Sequence, residues 1–337
     1  MKPRLQDVAE RSGVSVATVS RVLNDTQHVD VALARRVRVA AEQLGYRANL
    51  LARGLRRQRS DIVGLVVPQA GNPFFAALMQ AASRHLQTHD RTVLVADAED
   101  DTALEARVMT RLADYGIDGM LLAPVSERDS GAAASVVGER VPVVFLDRAA
   151  HGVDADVVRI DQRAGIDLVL DHLADELGPA PQTRFVSASP LDSVARARDE
   201  AYRRATRDGR VRDEQPAMLG AFTVDWGREA AAQLLAHGPL PHAVVCGNDL
   251  IALGVVATLT DRGVSVPHDV AVTGFDDVGF AQLSSPTLTT VRQPLDELAE
   301  RASALLEARI VGEPGPTREE VLPPTLIARD STRRRRR

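Results

Sequence analysis

The run Val16-Ala17-Thr18-Val19-Ser20-Arg21 sets a guanidinium beside two small apolar side chains and two hydroxyls at helical spacing. Arg21 can donate two parallel hydrogen bonds to a guanine edge, whereas Val16 and Ala17 offer only apolar contact, for example to a thymine methyl. Thr18 and Ser20 suit phosphate contacts or a helix cap. Further along, Phe74 and Phe75 stand side by side in a chain that is only 3% aromatic, and paired rings can stack on the apolar faces of a sugar. Catalytic constellations are missing. His85 and His89 are four apart, but no glutamate follows His85 and Asp90 makes a poor third ligand, so an exposed helix face is expected rather than a metal site. Ser187, Ser189 and Ser193 lack a G-x-S-x-G elbow, glycine-rich phosphate loops are absent, and the single cysteine, Cys246, reads as a buried strand residue. The chemistry on offer is recognition, with no enzyme activity, metal or cofactor expected.

Length and charge divide that recognition between two parts. A chain of 337 residues, 45% hydrophobic and 26% charged, is long enough for two or more compact units with large cores. No run of ~18 apolar residues exists and the first residues lack an apolar signal core, so a soluble cytoplasmic protein is expected, without membrane contact. Residues 1–60 carry a net +7, the terminal Arg333–Arg337 add +5, and residues 61–332 carry −17. A basic head on an acidic body directs the head alone toward a polyanion.

The elements that must position Arg21 are legible locally. Leu5, Val8 and Ala9 share one face of a short helix that Gly13 stops; Ser15 can cap a second helix running to about Leu23. A third, from about Val31 to Leu44, has Asp30 as its cap and turns Val37, Ala40, Ala41 and Leu44 inward. Val19, Val22 and Leu23 face that small core, leaving Val16, Ala17, Ser20 and Arg21 outside. Two short helices joined by a glycine turn describe a helix-turn-helix.

The strings Leu5-Gln6-Asp7-Val8-Ala9 and Gly13-Val14-Ser15-Val16-Ala17-Thr18-Val19-Ser20-Arg21-Val22-Leu23-Asn24 resemble the headpiece of the lactose/galactose-repressor family of bacterial transcription regulators. The resemblance implies that Val16, Ala17 and Arg21 face bases in the major groove of operator DNA. It also implies a hinge helix over Asn49-Leu50-Leu51-Ala52-Arg53-Gly54-Leu55-Arg56-Arg57, with Asn49, Ala52 and Arg53 at the DNA and Leu55 wedged into the minor groove. So short a helix, with Gly54 inside it, is marginal in water and should form only when held. Ala48 stands where many relatives have proline.

From Asp61 onward, short apolar runs alternate with helical patterns. Ile62–Val67, Thr92–Ala96, Gly119–Ala123 and Val143–Leu146 read as buried parallel strands, with helices near 74–88, 102–114 and 131–138. A second series follows at Arg184–Ser187, Ala217–Leu219, Ala243–Cys246 and Val270–Gly274. Two βα series predict two doubly wound sheets with a cleft at their strand ends. The fold class expected is an all-α headpiece plus an α/β core, and the resemblance implies the two-lobed type I periplasmic-binding-protein fold. Its expected organisation is a headpiece over 1–47, a hinge over 48–60, a core over 61–330 and a basic tail over 331–337. Lobe one should span about 61–160 and 292–322, and lobe two about 161–291 and 323–330, with crossovers near 161, 292 and 323.

Within the cleft, Asn72, Phe74, Phe75, Asp147, Arg148, Arg196, Phe222, Asn248, Asp276 and Gln293 are similar to the pocket of ribose-type binding proteins and repressors. Carboxylates, amides and guanidiniums suit a polyhydroxylated ligand, whose buried hydroxyls must donate and accept. The resemblance therefore implies a small neutral monosaccharide such as a pentose, with a purine or phosphorylated effector as the alternative; two carboxylates, Asp147 and Asp276, oppose an anion. Of Arg196 and Arg198, the resemblance favours Arg196. Asp249 and Asp277 read as loop carboxylates or caps, and Trp226 as packing. One head offers few base contacts, so a homodimer on a near-palindromic operator is expected, acting as an inducible or co-repressor-dependent repressor, or as an activator. A transport protein would need an export signal in place of the head, and an architectural DNA binder would need no cleft.

Overall fold

The computed structural model describes residues 3–24, 29–46, 59–128, 131–138, 141–189 and 192–333, in two compact units, Met1–Ser60 and Asp61–Arg337. In the first, helices α1 (Leu5–Ser12), α2 (Val16–Asn24) and α3 (Val31–Gln43) surround Val8, Ala9, Val19, Val22, Val37, Ala40 and Ala41. Gly13 ends α1 at φ 66°, a left-handed conformation that side chains with a Cβ rarely adopt. Asp30 caps α3 by accepting from the amides of Ala32 and Leu33 at 3.0 and 3.1 Å.

The second unit holds two sheets. Strands β1 (Ile62–Val67), β2 (Thr92–Asp97), β3 (Gly119–Leu122), β4 (Val143–Leu146), β5 (Asp156–Ile160) and β11 (Glu319–Leu322) form a parallel sheet in the order β11-β5-β4-β3-β1-β2. Val63 to Val67 are buried without alternation, as a strand covered on both faces must be. One face packs on α4 (Pro73–Thr88) and α11 (Leu295–Ile310), the other on α5 (Thr102–Asp114) and α6 (Gly131–Gly138). Lobe two is smaller: β6 (Thr183–Ala188), β7 (Met218–Gly220), β8 (Ala243–Cys246) and β9 (Ala271–Thr273) run parallel in the order β7-β6-β8-β9. They lie between α7 (Gln162–Leu177) with α8 (Ser193–Arg207) and α9 (Val224–Ala236) with α10 (Asp249–Asp261).

The chain passes between the lobes after β5, after β10 (Thr290–Arg292) and after β11, and β12 (Thr325–Ile327) then pairs with β10 in an antiparallel ribbon. Periodicity missed β5, β10, β11 and β12. These strands are three to five residues long and carry charges such as Asp156, Arg159, Glu319 and Glu320, so no apolar run marks them. Among the described residues no helix is long and apolar enough to cross a membrane.

Candidate DNA-recognition face and ligand cavity

On the first unit, Ser15 Oγ accepts from the Thr18 amide at 3.2 Å and lies 2.9 Å from the Thr18 hydroxyl. Thr18 thus belongs to the cap of α2. Val19 and Val22 are buried, and Val16, Ala17 and Arg21 are exposed on the opposite side, Val16 to 43%. Apolar contact from Val16 and Ala17 and paired donors from Arg21 suit a face that reads base edges. Ser20 sits between the two sides, half-buried. Asn49, Ala52, Arg53 and Leu55 lie outside the described residues, as does the tail beyond Arg333.

In the second unit, nine of the ten expected cleft residues line one cavity, joined by Arg198 and Val194. Helix starts place several of them. Asn72 caps α4 by accepting from the Phe74 amide, and Asn248 caps α10 by accepting from the Ile251 amide, each at 3.0 Å. Each carbonyl oxygen is thereby committed, and the amide NH2 is the group either side chain can present to a ligand. The cap of α4 also seats Phe74 and Phe75, whose rings meet edge to face with centroids 5.0 Å apart. Both rings belong to the lobe-one core and to the cavity wall at once.

Charged groups converge from both lobes. Asp147 follows β4 at φ 65°; one of its oxygens lies 3.4 Å from Arg148 Nε, and the other, Oδ1, is buried with no hydrogen-bond partner. Burial pushes the Asp147 carboxyl up, against the pull of Arg148 and Arg198. Arg148 donates across the cleft to Asp192 at 2.6 Å, and Asp192 also caps α8. From lobe two, Arg198 stacks over Phe275 with its guanidinium carbon 3.6 Å from the ring centroid, and donates to Gln162 at 2.8 Å and to the Gly247 carbonyl. Its Nη2 lies 3.6 Å from Asp276. Gln293 Nε2 donates to the same Asp276 oxygen at 2.6 Å, while Gln293 Oε1 is buried without a partner. Desolvation pushes Asp276 up to about 7, opposed by Arg198 and the Gln293 bond.

Arg196 does not line this cavity. It donates to Glu127 of lobe one at 2.7 Å, while Arg198 reaches the cavity in its place. The correction follows from helix geometry, since residues two apart point about 200° apart and only one of the pair can face inward. The buried stripe Val194, Arg198, Ala201, Tyr202 and Ala205 shows which, and its i, i+4, i+7 spacing was readable in the sequence. Trp226 packs as expected, donating from Nε1 to the Ser187 carbonyl at 3.0 Å. Asp249 is a buried support, accepting from Thr290 at 2.5 Å and from the Val278 amide at 2.8 Å. His85 pairs with Asp296 at 3.3 Å on an exposed helix face.

A helix-turn-helix unit and a two-lobed core with a polar cavity define a ligand-responsive DNA-binding protein as the class. Residues 4–49 match the bacterial regulatory proteins of the lacI family, and residues 163–332 match a periplasmic binding protein-like domain. The chain is 32% identical over 330 residues to the ribose operon repressor of Escherichia coli (strain K12), covering 97% of this chain and 99% of that protein. It is also 32% identical over 348 residues to the HTH-type transcriptional regulator reg1 of Streptomyces lividans, covering 98% and 97%. The crystal structure of the lac repressor dimer bound to operator and the anti-inducer ONPF shares the fold, with a TM-score of 0.89 at 24% identity over 99% of this chain and all of that one. The chain belongs to the LacI family of DNA-binding transcription regulators.

Proposed function

We propose that the chain is a homodimeric repressor of carbohydrate-utilisation genes whose operator affinity is set by a ribose-like monosaccharide held between its lobes. One observation carries the ligand class: two buried acceptors without partners, Asp147 Oδ1 and Gln293 Oε1, share a cavity with two cap asparagines, two guanidiniums and two phenylalanines that meet edge to face. Hydroxyls that both donate and accept answer such a set, and the rings accept a sugar's C–H face. In this arrangement of the lobes the cavity measures only about 30 Å³, room for little more than a water, so a sugar ring enters only as the lobes part. Arg148 and Arg198 are balanced by Asp147, Asp192 and Asp276, so no surplus positive charge awaits a phosphate. The ribose operon repressor's name agrees with this choice.

Ligand held by both lobes favours one lobe arrangement over others, and operator affinity changes by the difference in binding free energy between arrangements, typically about 1–3 kcal/mol. The hinge sequence over 48–60 is the segment through which that bias reaches the headpiece. The test is a thermal-shift panel of D-ribose, other pentoses, hexoses, a purine and ribose 5-phosphate, followed by operator titrations with each binder. At a hundredfold excess over Kd, a true effector stabilises the core by about 2.7 kcal/mol. The expected outcome is a shift with a neutral pentose and a matching change in operator affinity. A shift with the purine or the phosphate alone selects the alternative effector, and operator binding indifferent to every compound refutes the reading.

A further inference from the structure

The turn that delivers Asp276 to the cavity is conformationally expensive. Asp276 and Asp277 have φ values of 115° and 56°, and residues with a Cβ hold such conformations only where their surroundings over-determine them. Beside a long bond from the Asp277 amide to Thr290 Oγ1, 3.4 Å, three contacts do so. The Asp276 amide donates to the Val291 carbonyl at 2.8 Å, and the Val278 amide donates to Asp249 at 2.8 Å. The third is the Asp277 side chain, which is 4% exposed and is not part of the cavity lining. One of its oxygens accepts from Arg292 Nε at 2.7 Å and the other from Arg329 Nη2 at 2.6 Å.

Those arginines belong to the routes between the lobes. Arg292 ends β10, beside Gln293 and immediately before the second crossover; Arg329 follows β12, which begins just after the third. We propose that Asp277 is a positioning residue for effector binding: its carboxylate, gripped by Arg292 and Arg329, holds the Asp276 turn in place and ties it to two crossover segments. The proposal rests on the sugar-cavity reading for its choice of ligand. The turn and Gln293 then move as one body, so a ligand that engages Asp276 acts directly on the strands connecting the lobes.

The full-length chain tests this with Asp277→Asn, Arg329→Gln and the double variant. Asparagine keeps the size of aspartate and tolerates positive φ, so Asp277→Asn removes the charge and, because its NH2 cannot accept, one of the two arginine hydrogen bonds. Calorimetry with D-ribose, the melting temperature without sugar, and hydrogen exchange by peptide are the readouts. We expect Asp277→Asn to weaken ribose by about tenfold, Arg329→Gln to weaken it less, and the double variant to match Asp277→Asn, the non-additivity of partners in one network. Exchange should rise over residues 274–278 and 290–294 and stay constant elsewhere. Ribose affinity and local exchange both unchanged overturn the proposal, and a lowered melting temperature with unchanged affinity reduces Asp277 to a structural residue and overturns it too. Should the wild type ignore ribose while exchange rises at those two segments in Asp277→Asn, the clamp stands and the sugar reading falls. If Asp277→Asn does not fold, Arg329→Gln decides by the same two measurements.

Discussion

Asp276 is buried among Arg198, Gln293, Asp147 and Asp249, and desolvation raises its carboxyl to about 7. An unfolded aspartate titrates near 3.9, so between about pH 4 and 7 the native state keeps a proton that the unfolded chain has released. Stability linked to this group is complete below about pH 4 and is lost as pH climbs to about 7. Asp276→Asn abolishes that loss. Melting temperatures across pH 5 to 8 should show the variant gaining on the wild type as pH rises; a constant difference would contradict the assignment. Asp249, whose carboxyl is raised by burial and by the charge of Asp276, loses the second of these causes in the variant, which adds to the same gain. The arginine pair marks the limit of reading single residues: only the helical spacing of Val194, Ala201, Tyr202 and Ala205 puts Arg198, not Arg196, on the buried face of α8.

At the scale of elements, α9 and α10 cross where two glycines let their backbones touch. A Cβ on Gly254 would stand 2.1 Å from the Val224 carbonyl oxygen, and one on Gly227 would stand 2.1 Å from that of Ile251. Gly254→Ala must therefore push apart the helix pair that carries Asn248 at its start, at an expected cost of about 1–3 kcal/mol. Urea unfolding of the full chain, followed by the fluorescence of the single tryptophan, Trp226, on α9, measures this; an unchanged midpoint would mean the crossing is looser than described. Helices and central strands were legible because caps and apolar periods lie within a few residues of each other. Strands β10 and β12 were not, since three residues show no period and their ribbon joins segments about 35 residues apart.

For the whole molecule, charge decides the partner. The head carries +7 and residues 61–332 carry −17, so salt should act chiefly on the head's contacts. If a dimer neutralises about eight phosphates, log affinity for the operator falls with log salt at a slope near −7. Anisotropy titrations from about 50 to 200 mM salt read that slope, and a nearly flat line would remove DNA-backbone contact as the basis of binding.

The sequence by itself determined the three head helices, the outward face of Val16, Ala17 and Arg21, the two βα series and the residue types at the strand ends. Each of these depends on neighbours within about one helical turn or one strand. Tertiary structure alone decided how far Asp147, Asp276 and Gln293 are withdrawn from water in their shared cavity, and that Asp147 Oδ1 and Gln293 Oε1 are left without partners there. Such outcomes depend on three passages of the chain between lobes and on how deeply each group is withdrawn from water, and neither is written in local spacing.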